Sequence, residues 1–130
     1  SPIETIIKKI LSKYDIKDAT ISIILSNKTL LNKLKKDYFN LNHFTDVIAF
    51  NLEDQGESLD GEIYISIDDV FENSKQYSVA FDEEFKRVVI HGILHLVGFE
   101  DNTEKEKEEM TKLENNYMTL ISEEWIYFNK

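Results

Sequence analysis

The segment from Glu83 to Asp101, EEFKRVVIHGILHLVGFED, constrains the chain more than any other. Phe85, Val88, Val89, Ile90, Ile93, Leu94, Leu96 and Val97 place apolar side chains around almost the whole circumference of a helix. Such a helix is stable only when buried, so the rest of the chain must wrap around it. His91 and His95 lie four residues apart within it, which stacks their imidazoles on one helical face. Gly98 can take the left-handed conformation that ends a helix. Asp101 comes six residues after His95, giving the string H-x3-H-x5-D. A turn at Gly98 would swing that carboxylate back toward both rings.

Two imidazoles and a carboxylate are the donor types zinc accepts, at roughly 2.0–2.2 Å. Three protein ligands with a water in the fourth position form the catalytic pattern, in which the bound water ionises near neutral pH and becomes a nucleophile. His91, His95 and Asp101 would supply the three, holding one Zn2+ per chain. Two half-buried histidines with ordinary hydrogen bonds would produce the same H-x3-H. The chain has no cysteine, so any metal must use His, Asp or Glu. In H-E-x-x-H peptidases a glutamate beside the first histidine is the general base. That position is Gly92 here, so a zincin-like metallopeptidase would lack its base.

The remaining periodicities supply the packing partners. Ile3–Leu11 repeats apolar residues at a helical period. Thr20–Ser26 is β-branched and partly alternating, a strand. Asn27 is placed to cap a helix from Lys28 to Tyr38. Thr45–Asn51 reads as a second strand. Glu53–Ser58 reads as a connection. Gly61–Ile67, with Ile63, Ile65 and Ile67 alternating against Glu62, Tyr64 and Ser66, reads as a third. Asp68 is placed to cap a helix running to Tyr77. Thr103 and Glu106 form a capping box ahead of a last helix whose apolar stripe is Met110, Leu113, Tyr117, Leu120 and Ile121. The expectation is one α+β domain over residues 1–130. It has a small mixed sheet of three to four strands, about five helices, and a metal site on a central buried helix and the loop after it.

The net charge of −10 is unevenly spread: residues 1–50 carry eight Lys and five acids (8 − 5 = +3), the remainder seven basic and twenty acidic residues (7 − 20 = −13). That total excludes general coating of phosphate backbones but leaves room for a local basic face. Lys33, Lys35 and Lys36, with Lys28, are the candidate RNA-backbone contacts; a plain solvated helix face explains them equally well. There is no apolar run long enough to span a bilayer, and the opening SPIETIIKKILSKYD is too charged for a secretory leader. A cytoplasmic location is the expectation, with no membrane and no DNA partner.

His91-Gly-Ile-Leu-His-Leu-Val-Gly-Phe99 resembles the H-G-x-L-H-L-x-G-[YF] signature of the YbeY family, bacterial zinc-dependent endoribonucleases of rRNA maturation. Thr45–Phe50 resembles that family's T-D-V-L-S-F segment and Gly61–Ser66 its G-D-I-x-I-S strand. Met110 and Glu114 fit its M-x3-E helix. The resemblance covers roughly residues 20–121. It implies zinc ligands at His91, His95 and the third motif position, and single-strand-specific cleavage in 16S rRNA 3′-end maturation and ribosome quality control. It implies as partners rRNA and the small ribosomal subunit, and with them a ribosomal protein or an Era-like GTPase. A non-catalytic ribosome-assembly module with a structural metal would keep the same fold.

The chain departs from the family pattern twice. The usual third histidine is Asp101, as in a Bacteroidetes-like variant of the family. The arginine expected six residues before Thr45 is Phe39. Other candidates stand outside the metal set. His43 has the chemistry of a general acid or base or of a surface loop residue. Arg87, one turn before His91, could reach a phosphate or pair with Glu83 or Glu84. Asp46 could orient a ligand or cap a loop, and Phe99 suits packing in the metal loop. The sequence identifies no general base beyond the metal-bound water.

Overall fold

The computed structural model describes residues 2–16, 18–39, 46–51 and 58–121. Its elements run α1 (Pro2–Lys13), β1 (Asp18–Ser26), α2 (Lys28–Phe39), β2 (Val47–Asn51), β3 (Ser58–Ser66), α3 (Ile67–Gln76), α4 (Phe81–Leu96) and α5 (Glu104–Ile121). The sheet order is β1-β3-β2, with β1 parallel and β2 antiparallel to β3. Five helices and a small mixed sheet match the expected α+β class.

The central strand β3 explains why α4 is buried. Leu59, Ile63 and Ile65 alternate onto one face and are at most 5% exposed. They pack in one core with Val88, Val89, Ile90, Ile93 and Leu94 of α4, Ile6 and Ile10 of α1, and Met110 of α5. Each fully buried aliphatic side chain there contributes roughly 1.5–3 kcal/mol. The sheet and α4 approach so closely that a Cβ on Gly92 would sit 2.9 Å from Cγ2 of Ile63, and one on Gly61 2.6 Å from Cδ1 of Leu96. Both glycines are there for space.

Val47 and Ile48 are both buried although consecutive strand residues face opposite ways. Val47 points to Gly92, so Ile48 points to the far face of the sheet. There α2, with its buried Leu31, packs against β2 and β3.

Local signals read from the sequence hold in part. The Asn27 side chain accepts from the Leu30 amide at 2.9 Å, an N-cap. The Glu106 carboxylate accepts from the Thr103 amide at 3.0 Å while the Thr103 hydroxyl accepts from the Glu106 amide at 3.1 Å. The cap of α3 is corrected from Asp68 to Ser66, whose hydroxyl accepts from the Asp69 amide at 3.3 Å. The last residue of β3 thus doubles as the cap, and Ile67 and Asp68 already belong to the helix. Both β1 and β3 start earlier than expected, at Asp18 and Ser58, because they pair with each other over that whole length. His43, Thr45 and the connection at 53–57 lie outside the described residues. No helix among the described residues is long and apolar enough to cross a membrane.

Candidate metal centre

The site begins with the end of α4. The amide of Gly98 donates to the His95 carbonyl at 3.1 Å and that of Phe99 to the Leu94 carbonyl at 3.0 Å. With Gly98 at φ 112°, this is the Schellman closure of a helix. Phe99 then packs edge-on against Tyr14, ring centroids 5.4 Å apart, which is the packing role expected of it. The capping box of α5 fixes the other end of the turn. Asp101 is held between these two anchors, and the reversal brings its carboxylate to the histidines.

Three donor atoms converge as a result. His91 Nε2 lies 3.0 Å from His95 Nε2, and Asp101 Oδ2 lies 3.4 and 3.6 Å from the two nitrogens. Donors bound to a tetrahedral zinc at about 2.0–2.1 Å lie roughly 3.3 Å from one another, so the triangle fits one such ion. Among the described residues this is the only group of His, Asp and Glu close enough to share an ion. The three side chains are 24%, 25% and 36% exposed, so the group is partly accessible to solvent.

Behind His91 stands Glu114 of α5. Its Oε2 lies 2.5 Å from His91 Nδ1 and its Oε1 accepts from Arg87 at 3.1 Å. Arg87 also donates to Asn115 at 2.9 Å. A carboxylate at Nδ1 keeps the proton there and leaves Nε2 as a lone pair, the tautomer a metal requires. Arg87 is therefore corrected: it pairs across to α5 rather than with Glu83 or Glu84, and it braces Glu114.

The electrostatics suit a shared cation. Burial alone would lower the His91 pKa, but the Glu114 hydrogen bond and charge, helped by Asp101 and Asp46, raise it overall. His95 is lowered, first by burial and then by the positive charge on His91. A proton shared by the two rings is therefore favoured on His91 over His95.

A cleft of about 340 Å³ adjoins the triangle, lined by Asp46, Glu84, Arg87, His91, Asp101 and Glu114 among others. Asp46 lies at the start of β2, and its carboxylate accepts from the Asn73 side chain at 3.2 Å. Burial chiefly raises its pKa. Glu84, only 7% exposed, is pushed up to about 7, first by burial and then by the charge of Asp46. A larger cavity of about 560 Å³ between α1 and β1 is lined by Ile7, Leu11, Ile16 and Ile21 with a few polar groups and contains no ligand cluster.

The candidate RNA contacts do not meet the metal. Lys33, Lys35 and Lys36 lie on α2, across the sheet from α4. Lys28 is bound to Asp69 and Glu72 at 3.3 and 3.2 Å, so α3 neutralises that end of the basic face. Phe39 is the last residue of α2. Glu114 is the functional residue that residue chemistry alone missed. The available signal was a charged residue on the apolar stripe Met110–Tyr117, where 7% exposure of a carboxylate demands a partner.

A family model described as "Endoribonuclease YbeY" matches residues 1–122. An "Endoribonuclease YbeY" of Christiangramia forsetii is 43% identical over 101 residues, 78% of this chain and 70% of that protein. One from Chloroherpeton thalassium is 39% identical, covering 78% and 71%. One from Bacteroides thetaiotaomicron is 33% identical over 114 residues, covering 88% and 82%. The solution structure of TM1509 from Thermotoga maritima superposes with a TM-score of 0.58 at 28% identity, covering 99% of this chain and 91% of that one.

Proposed function

Because the chain belongs to the YbeY endoribonuclease family, we propose that it is a metal-dependent endoribonuclease of rRNA processing, cutting single-stranded RNA with zinc held by His91, His95 and Asp101. The observation that carries this reading is the triangle of donor atoms, two of whose residues, His91 and Asp101, line a cleft. When bound, the ion supplies Lewis acidity toward a phosphoryl oxygen and makes a nucleophile of water at neutral pH.

The chain's own residues prepare that chemistry. Glu114 holds the His91 proton at Nδ1 and fixes the ring. Arg87 holds Glu114 and, with Lys107, is a basic group at the cleft. Asp101 adds negative charge to the ligand set, which makes the ion a weaker acid than three neutral histidines would and widens its choice toward manganese or iron. Lys33, Lys35 and Lys36 serve as more distant contacts to the RNA backbone, along the strand from the cut. The small ribosomal subunit in the cytoplasm is the setting in which such a substrate occurs.

The peptidase alternative loses its base for a spatial reason. Residue 92 faces Ile63 and Val47 of the sheet, so a glutamate there would point away from the metal. A purely structural metal is disfavoured because no fourth ligand from the described residues closes the site.

The test is cleavage of a single-stranded rRNA 3′ end by purified protein, with chelator and with metal restored. Chelation and His95→Ala are expected to remove metal and cleavage together. Full cleavage by metal-free protein would overturn the assignment.

A further inference from the structure

Beside the metal, the cleft continues into a groove of about 470 Å³ that shares Asp46, Glu84, Arg87 and Glu114 with it and ends at Asn73, Tyr77 and Val79. Two features of this groove serve neither the core nor the metal. Glu84 is more than nine-tenths buried and lines both cavities, and its carboxylate, unlike its amide, which donates to the Ala80 carbonyl, has no hydrogen bond or ion pair with any described residue. Tyr77 and Val79 are 60% and 39% exposed, an aromatic and an aliphatic surface on one wall. Tyr77 closes the end of α3, its amide donating to the Asn73 carbonyl at 2.9 Å, so its backbone is fixed while its ring is free of the core.

The chemistry of the groove selects its occupant. Asp46, Glu83, Glu84 and Glu114 line it against one guanidinium, and Arg87 already serves Glu114 and Asn115. A phosphate would be repelled. A single cation is also a poor fit, because among the described residues only His91, His95 and Asp101 bring their ligand atoms close enough together. An uncharged, flat group with N–H donors suits it best. The face of Tyr77 can stack on it, and carboxyl oxygens can accept from its edge.

We propose that the groove is a nucleobase subsite of the nuclease, in which an unpaired base flanking the scissile phosphate stacks on Tyr77 and donates hydrogen bonds to Glu84 and Asp46. Glu84 and His91 are seven residues apart on one face of α4, about 10 Å along the axis at 1.5 Å per residue, so the base belongs to a nucleotide beside the one at the metal. Adenine, cytosine and guanine carry amino groups for these acceptors. Uracil offers a single imino N–H and is the weakest fit. A base held in a duplex cannot enter, which gives the preference for single strands a physical cause. This subsite rests on the ribonuclease reading of the neighbouring metal centre.

The experiment measures binding and cleavage separately. Chelator-treated protein of residues 1–130 is titrated by fluorescence anisotropy with short labelled RNAs, in which each position in turn is abasic, uridine or an amino-bearing nucleotide. One position is expected to lose about tenfold in affinity when abasic, with uridine intermediate. Tyr77→Ala, at an exposed position, should flatten that dependence to within about twofold. Glu84→Gln, an isosteric change, should narrow the gap between uridine and the amino-bearing bases and leave abasic RNA bound as before. A flat scan in the wild-type protein, or an unchanged scan in both variants, would overturn the subsite. The metal-loaded protein is then assayed for cleavage. Absence of cleavage would refute the ribonuclease reading, whereas a base-dependent scan that Tyr77→Ala flattens would still support the subsite.

Discussion

Replacing Glu114 by glutamine tests the support of the metal centre without changing its size. Both carboxylate oxygens are in use, one on His91 Nδ1 and one on Arg87. Glutamine has one acceptor and one donor. If its oxygen accepts from His91, its amide faces the Arg87 guanidinium, donor against donor. If its oxygen accepts from Arg87, its amide donates to His91 Nδ1, and the ring proton must move to Nε2, the atom that should bind metal. Either arrangement disturbs the site, and the second abolishes the ligand. Loss of such an outer partner costs roughly ten- to a hundredfold in metal affinity, or about 1.4–2.8 kcal/mol. The assay is zinc competition with a chromophoric chelator at pH 7.5, with circular dichroism as the control for folding. Asn115→Ala, which removes only the outer contact of Arg87, should lose no more than a few-fold. A folded Glu114→Gln protein that binds zinc within twofold of wild type would refute the assigned tautomer and the role of Glu114.

Three further outcomes follow from the geometry. Gly92→Ala should destabilise by about 1–3 kcal/mol in urea unfolding, because its Cβ would press on Ile63 at 2.9 Å and an overpacked core must shift; an unchanged midpoint would mean that α4 sits farther from the sheet. Glu84→Gln should stabilise the protein at alkaline pH. Burial and Asp46 hold the folded-state pKa at about 7 against an ordinary 4.5, so the folded chain binds the extra proton between those values and wild-type stability falls as pH rises through them. The gain from glutamine should be absent below about pH 4.5 and full above about pH 7. Its size is roughly 1–2 kcal/mol once the hydration of a cleft-lining group is allowed for, and equal unfolding curves at pH 8 would contradict it. Changing Lys33, Lys35 and Lys36 together to alanine should weaken RNA binding and reduce the salt slope by up to about 3; an unchanged slope removes α2 from the RNA path.

What could be read from the sequence was whatever depended on neighbours a turn or two away. His91 and His95 share a face because of helical period alone, and Gly98 and the Thr103–Glu106 box announce the turn that returns Asp101. The errors came where partners lie far apart in the chain. Arg87 had acids within reach at Glu83 and Glu84, yet it pairs with Glu114, twenty-seven residues on. Lys28 looked like part of a basic face until α3 brought Asp69 and Glu72 to it. Glu84 entered the sequence reading only as a possible partner of Arg87, whereas in the fold it is a buried group on a cleft shared with Asp46 of the β2 end and Glu114 of α5. Ser66 displaced Asp68 as a cap because the strand runs directly into the helix, a boundary that periodicity blurs.

His91, His95 and Asp101 are proposed to hold one ion with a position left open. X-ray absorption spectroscopy on the metal-loaded protein, with metal counted per chain, tests it most directly. The expected result is one ion with two imidazole nitrogens and carboxylate oxygen at about 2.0–2.2 Å, plus a solvent ligand that an added anion displaces. Asp101→Ala should lose one oxygen neighbour. A spectrum showing four protein ligands and no exchangeable position, or one unchanged by Asp101→Ala, would contradict it.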